Sequence, residues 1–114
     1  MVTDPLIDST ARTAQGVQLE LTVPADLHYF KGHFPQYAML PGVVQVTWAI
    51  ELARQYLSFG GEFCGLSGLK FMRVIQPGSK VTLSLDFDSD AQRLNFEYRS
   101  LDGSCAIGTA QFAA

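Results

Sequence analysis

One stretch constrains the fold of this chain more than any other. From residue 41 to about 57 the sequence reads as a helix that is apolar on most sides, through Val43, Val44, Val46, Trp48, Ala49, Ile50, Leu52, Ala53 and Leu57. A helix of that kind has to be wrapped by other structure. Pro41 suits the first helical position, and Ser58 with Gly60-Gly61 ends the segment. The polar residues Thr47, Glu51, Arg54 and Gln55 fall at i, i+4, i+7 and i+8, so they form one stripe down a single face.

The rest of the chain supplies the wrapping. Residues 17 to 23, Val-Gln-Leu-Glu-Leu-Thr-Val, alternate strictly and predict a strand with one buried face, stopped by Pro24. Residues 25–39 are aromatic-rich, aperiodic and broken by Gly32 and Pro35, which predicts a loop. Past Gly61 the pattern predicts four strands, 64–75, 80–88, 93–100 and 104–112, separated by Gln76-Pro77-Gly78, Asp88-Ser89-Asp90 and Asp102-Gly103. Residues 1–15 show no period and read as a loose lead-in, with a short contact at Leu6-Ile7. At 114 residues, 47% of them apolar, the chain makes one domain over 1–114 with a single core. The expected class is α+β, an antiparallel sheet wrapped around one long central helix.

Composition excludes several function classes. A net charge of −3 and a pI near 5.1 give no general attraction to nucleic acid. The longest apolar stretch, 38–53, is interrupted by Pro41, Gly42, Gln45, Thr47 and Glu51, so no membrane span is expected. The first sixteen residues lack a signal-peptide pattern, and the cytoplasm is the expected location. Cys64 and Cys105 make no CxxC or Cys/His ligand spacing; buried free thiols are expected and no metal site. The charge is unevenly spread, at −3 over residues 1–30, +3 over 31–80 and −3 over 81–114. The basic middle is either ordinary solvated surface or a docking face for an acidic partner.

The residues that can carry chemistry gather where the loop meets the helix. With Pro41 as first helical residue, the cap falls to Leu40, which has no side-chain acceptor, so the N–H groups near Gly42, Val43 and Val44 look uncommitted. With the helix dipole behind them they can hold a carbonyl oxygen that gains negative charge, or simply meet water. His33 sits in the loop between Gly32 and Phe34-Pro35, a few residues before that tip.

These segments, GHFP at residues 32–35 and LPGVVQ at 40–45, resemble the GHFPG and MPGV signature of the β-hydroxyacyl-acyl-carrier-protein dehydratases, which have the hotdog fold. The later LKFMRVIQPGSKVTLSL is similar to the strand, Pro-Gly turn and strand that follow the central helix in that family. The resemblance covers roughly residues 17–112, and Met39 to Gln45 with Trp48-Ala49 looks closest to the small stand-alone dehydratases of the aryl polyene type. It implies His33 as the base that takes the α-proton of a 3-hydroxyacyl thioester, and the Gly42 N–H as the group that polarises the thioester carbonyl. The Met39 backbone carbonyl would hold the other ring nitrogen of His33. It further implies a substrate on the pantetheine arm of an acyl carrier protein, a tunnel for the acyl group, and a homodimer whose sites use both chains, with higher assembly left open. No redox cofactor or metal is needed for such proton transfers.

One position departs from the family. Fourteen residues after the histidine the family has Asp or Glu on the central helix, and this chain has Thr47, whose hydroxyl is a very poor acid near neutral pH. Glu51 lies one turn on, where the family commonly has Gln, and is expected to supply the proton, directly or by relay through Thr47 or a water; its rival role is pairing with Arg54 or Gln55 at the solvent edge. Tyr29, Phe30, Phe34, Met39, Val43 and Trp48 are candidates for the acyl pocket, and core packing explains the aromatics equally well. Lys31, Arg54, Lys70 and Arg73 are the candidate docking residues for an acidic carrier protein. Three readings stand: a dehydratase, a hotdog thioesterase or coenzyme A thioester enzyme, and a non-catalytic acyl-binding or partner subunit.

Overall fold

The computed structural model describes residues 2–27 and 39–113. Its elements run β1 (Leu6–Arg12), β2 (Gly16–Thr22), α1 (Gly42–Tyr56), β3 (Phe63–Phe71), β4 (Lys80–Asp88), β5 (Arg93–Ser100) and β6 (Gly103–Phe112). All strands pair antiparallel in one six-stranded sheet of order β1-β2-β4-β5-β6-β3. This is the α+β hotdog architecture that the sequence predicts.

Alternation explains the core. Val17, Leu19 and Leu21 of β2 stand beside Leu85, Leu83 and Val81 of β4, and β5 continues the same face with Leu94, Phe96 and Tyr98. Against it α1 lays Val44, Trp48, Ala49, Leu52 and Ala53, all buried. The small Ala49 and Ala53 let the helix backbone approach the sheet, and removing this apolar area from water is the main stabilising term.

Three expectations need correction. Residues 1–15 are not a loose lead-in, because Leu6–Arg12 forms strand β1 on the sheet edge, with a register shift between Ile7 and Ser9. Every residue of β1 is exposed, so no buried face marks it in the sequence. The strand is held instead by its ladder to β2, by Thr22 Oγ1 on Asp8 at 2.6 Å, and by Arg12 Nη1 donating to the Tyr56 carbonyl at the end of α1 at 2.6 Å. Strand β3 stops at Phe71 rather than running to 75. Between Tyr98 and Arg99 the β5–β6 register shifts, and the Cys105 carbonyl accepts both the Met72 and Arg73 N–H groups, at 2.8 and 3.2 Å. One carbonyl serving two successive donors ends the ladder and turns the chain away just after Phe71. Finally, Cys105 is buried as expected, but Cys64 is exposed.

Both β1 and β3 are sheet edges. On β3, which Gly68 bends at φ +60 within a second register shift, Phe63, Leu66, Leu69 and Phe71 are all exposed apolar residues. Among the described residues no helix is long and apolar enough to cross a membrane.

Candidate active site

The start of α1 differs in detail from expectation and agrees in consequence. Pro41 has φ −60 and ψ 146, so it is the extended cap residue, and Gly42 is the first helical position. The shift has a local cause: the Leu40 N–H is tied to the Ile75 carbonyl at 2.7 Å, which holds the chain extended up to Pro41. The Pro41 carbonyl then accepts from Val44 and Gln45, each at 3.1 Å. Val44 is therefore committed, contrary to the sequence reading. The Gly42 and Val43 N–H groups have no backbone partner among the described residues, no side chain caps them, and the first turn holds no acidic residue. A helix tip of this kind presents two donors and the positive end of the dipole.

From that tip a groove of about 700 Å³ runs between α1 and β3, with Val43, Val46 and Ile50 on one wall and Phe63, Leu66 and Leu69 on the other. Thr47, Glu51 and Arg54 also line it. The Thr47 hydroxyl donates to the Val43 carbonyl at 2.8 Å, which spends its proton and leaves its oxygen as an acceptor. Glu51 is exposed and makes no ion pair among the described residues, so the proposed pairing with Arg54 is not formed. Arg54 donates instead to the Gly61 carbonyl at 2.9 Å, and its guanidinium lies 5.0 Å from the Phe112 ring centroid and 5.3 Å from that of Phe59.

A second groove, of about 340 Å³, opens on the other side of Gly42 and is lined by Met39, Gln45, Met72 and Arg73. Val43 and Met39 thus border the helix tip, one in each groove. Trp48 does not. It is 2% exposed and outside both grooves, its indole N–H donates to the Thr3 carbonyl at 3.0 Å, and it packs in the core beneath the N-terminal segment. Lys70 and Arg73 are exposed at and just beyond the end of β3. His33, Tyr29, Phe30, Lys31 and Phe34 lie outside the described residues.

Two residues enter that the sequence reading passed over. Gln45 is 4% exposed; its amide donates to the Leu40 carbonyl at 3.1 Å and its Oε1 has no partner among the described residues. An amide amid the apolar positions of α1 was a signal available in the sequence. Phe71 is the other. An added Cβ on Gly42 would lie 2.6 Å from the Phe71 Cζ, so the ring end rests directly on the Gly42 backbone. Nothing local in the sequence reveals that contact, which depends on where β3 ends.

The chain is 29% identical over 85 residues to the 3-hydroxyacyl-[acyl-carrier-protein] dehydratase FabZ of Burkholderia cenocepacia, a match over 65% of this chain and 54% of that protein. It is 30% identical over 90 residues to the FabZ of Listeria monocytogenes, over 71% of this chain and 62% of the relative. The chain therefore spans about half the length of the first of these curated relatives. Among solved structures it resembles the dehydratase heterocomplex ApeI:P from Xenorhabdus doucetiae, with TM-score 0.89, 28% identity and coverage of 97% and 99% of the two chains. A protein from Erwinia carotovora subsp. atroseptica described as uncharacterized gives TM-score 0.83 and 31% identity, with coverage of 99% and 97%. A thioesterase from Haemophilus influenzae, at 18% identity and TM-score 0.59 over 88% of this chain and 71% of the other, shares the fold alone. The family model described as ApeI-like, ApeI dehydratase, matches residues 9–109, and the chain belongs to that family.

Proposed function

We propose that the chain dehydrates a 3-hydroxyacyl thioester presented by an acyl carrier protein, giving the trans-2-enoyl thioester and water. The observation that carries this reading is the uncapped tip of α1, with the Gly42 and Val43 N–H groups facing no protein acceptor among the described residues at the head of an apolar groove. A thioester carbonyl bound there acidifies carbon 2, because the developing enolate oxygen meets two fixed donors and the helix dipole. His33 removes the proton from carbon 2. The electron pair forms the new double bond, the carbon 3–oxygen bond breaks, and the departing hydroxyl takes a proton to leave as water. Among the described residues of the groove wall Glu51 is the one carboxylic acid, with Thr47 as an acceptor a turn earlier. Glu51 is the proposed acid.

The exposed apolar edge of β3 supports assembly with a second chain, which would roof the groove into a channel. A second copy is the first occupant proposed. The heterocomplex named for the Xenorhabdus relative brings a second reading, in which this chain partners a different dehydratase subunit. The Thr47 hydroxyl bonded to Val43 favours it, since that proton is not free for the leaving group.

The test is turnover of a short 3-hydroxyacyl thioester by the purified protein, comparing His33→Ala, Thr47→Ala and Glu51→Gln. Losses of about a hundredfold or more for His33→Ala and Glu51→Gln are expected from removal of a general base or acid. Full activity in Glu51→Gln rejects Glu51 as the acid. An inactive parent chain that gains activity on mixing with a second subunit transfers the function to the complex, and release of free thiol instead of water points to a thioesterase.

A further inference from the structure

The two grooves meet at one place, and a single side chain stands there. Gly42 and Phe71 line both the α1–β3 groove and the smaller groove that holds Gln45 and Arg73. The Phe71 ring end sits over Gly42 so closely that an added Cβ would be 2.6, 2.9 and 3.2 Å from three of its carbons. The ring is 49% exposed, so it is not a core residue. Its backbone is nevertheless fixed, since Phe71 pairs with Ala106 and the next two N–H groups both bind the Cys105 carbonyl.

We propose that Phe71 is a specificity-determining residue that selects 3-hydroxyacyl thioesters unsubstituted at carbon 2. This deepens the dehydratase reading and rests on it for the placement of the thioester. A carbonyl held by the Gly42 N–H puts carbon 2, its immediate neighbour, beside the ring that covers Gly42. Carbons farther along the acyl chain leave that point for the larger groove, whose walls are Val46, Ile50, Leu66 and Leu69. On the opposite side the smaller groove runs past Met72 to the exposed Arg73 cation, which suits the phosphate of a pantetheine arm. Phe71 therefore limits width at carbon 2, and the groove beyond it limits length. The two properties are controlled by different residues.

The experiment compares the parent chain with Phe71→Ala and Phe71→Leu on pantetheine thioesters of 3-hydroxyacyl groups of two lengths, each with and without a methyl at carbon 2. Binding of the corresponding unreactive enoyl amides of pantetheine is measured in parallel. One methyl against a fixed wall is worth roughly 10- to 200-fold in discrimination. The expected result is a preference for unbranched substrate that falls at least tenfold in Phe71→Ala and less in Phe71→Leu, while the ratio between the two lengths stays the same. An unchanged branching ratio in a folded Phe71→Ala protein overturns the inference, as does a change in length preference alone. If no thioester is turned over but the amides show the same discrimination and Phe71→Ala removes it, Phe71 keeps its role and the dehydration reading is what fails.

Discussion

The Tyr98 hydroxyl on β5 donates to the backbone carbonyl of Gln45 on α1 at 2.6 Å, and both side chains are buried. This bond fixes the depth and rotation of the helix against the sheet one turn behind the candidate site. Burial pushes the Tyr98 phenol above its ordinary value of 10.0. In the unfolded chain the phenol ionises near that ordinary value, whereas in the folded chain it stays protonated. Above about pH 10 the unfolded state therefore binds fewer protons, and stability falls with rising pH by about 1.4 kcal/mol per unit. Tyr98→Phe should cost about 1 kcal/mol near neutral pH and remove that part of the alkaline slope. Urea unfolding between pH 8 and 11 measures both effects; identical slopes for the two proteins would reject the assignment.

A second prediction concerns Gly42. Alanine is ordinarily favourable in a helix, but here its Cβ meets the Phe71 ring, which has to move. Gly42→Ala should destabilise by about 0.5–1.5 kcal/mol in the parent chain, the cost of pushing the half-exposed ring off its preferred rotamer. In a Phe71→Ala background the same change should be neutral or stabilising, because the obstacle is gone. A double-mutant cycle by chemical denaturation reads the coupling directly, and additive effects would mean that the contact is not formed in solution.

How much of this was legible in the sequence depends on whether a segment buries a face of its own. Strands β2, β4 and β5 do, and their alternation gave boundaries close to those observed. The helix stood out because an apolar surface on most sides demands a wrapping sheet. Strand β1 was invisible because LIDSTAR buries nothing, and its order comes from a neighbour, not from a pattern within it. The uncapped helix tip was readable from Leu40-Pro41-Gly42, although the position of Pro41 was off by one. The commitment of Val44 and the seat of Phe71 were not, since each depends on backbone carbonyls and strand ends that only the assembled sheet brings into place.

The third prediction tests β1 as a working part of the fold. Arg12 at its end donates to the Tyr56 carbonyl, where the last turn of α1 has unpaired acceptors and the negative end of the dipole. Arg12→Ala should lower stability by about 0.5–1 kcal/mol. Arg12→Lys should recover part of that loss, because it keeps the charge but not the planar donor. Thermal melts of the three proteins measure the order, and a melt unchanged in Arg12→Ala would leave the strand end without an energetic role.

The last prediction concerns docking on the proposed reading. Lys70 and Arg73 are exposed where β3 ends, and Arg73 borders the smaller groove that leads to Gly42, so an acidic carrier protein approaching its arm's entry would pass both cations. Opposite charges at a partly solvated rim mainly speed encounter, and salt screens them over about 8–10 Å. Reversing both, as Lys70→Glu with Arg73→Glu, should weaken carrier-protein binding by roughly tenfold or more at low ionic strength, chiefly through a slower association rate. The gap between variant and parent should shrink as salt is raised, because the parent alone loses an attraction. Arg54 serves as the comparison: its guanidinium is already engaged with Gly61 and the Phe59 and Phe112 rings, so Arg54→Gln should alter binding less and stability more. Association kinetics at two salt concentrations separate these outcomes, and equal rates for the charge-reversed and parent chains would remove the end of β3 from the docking face.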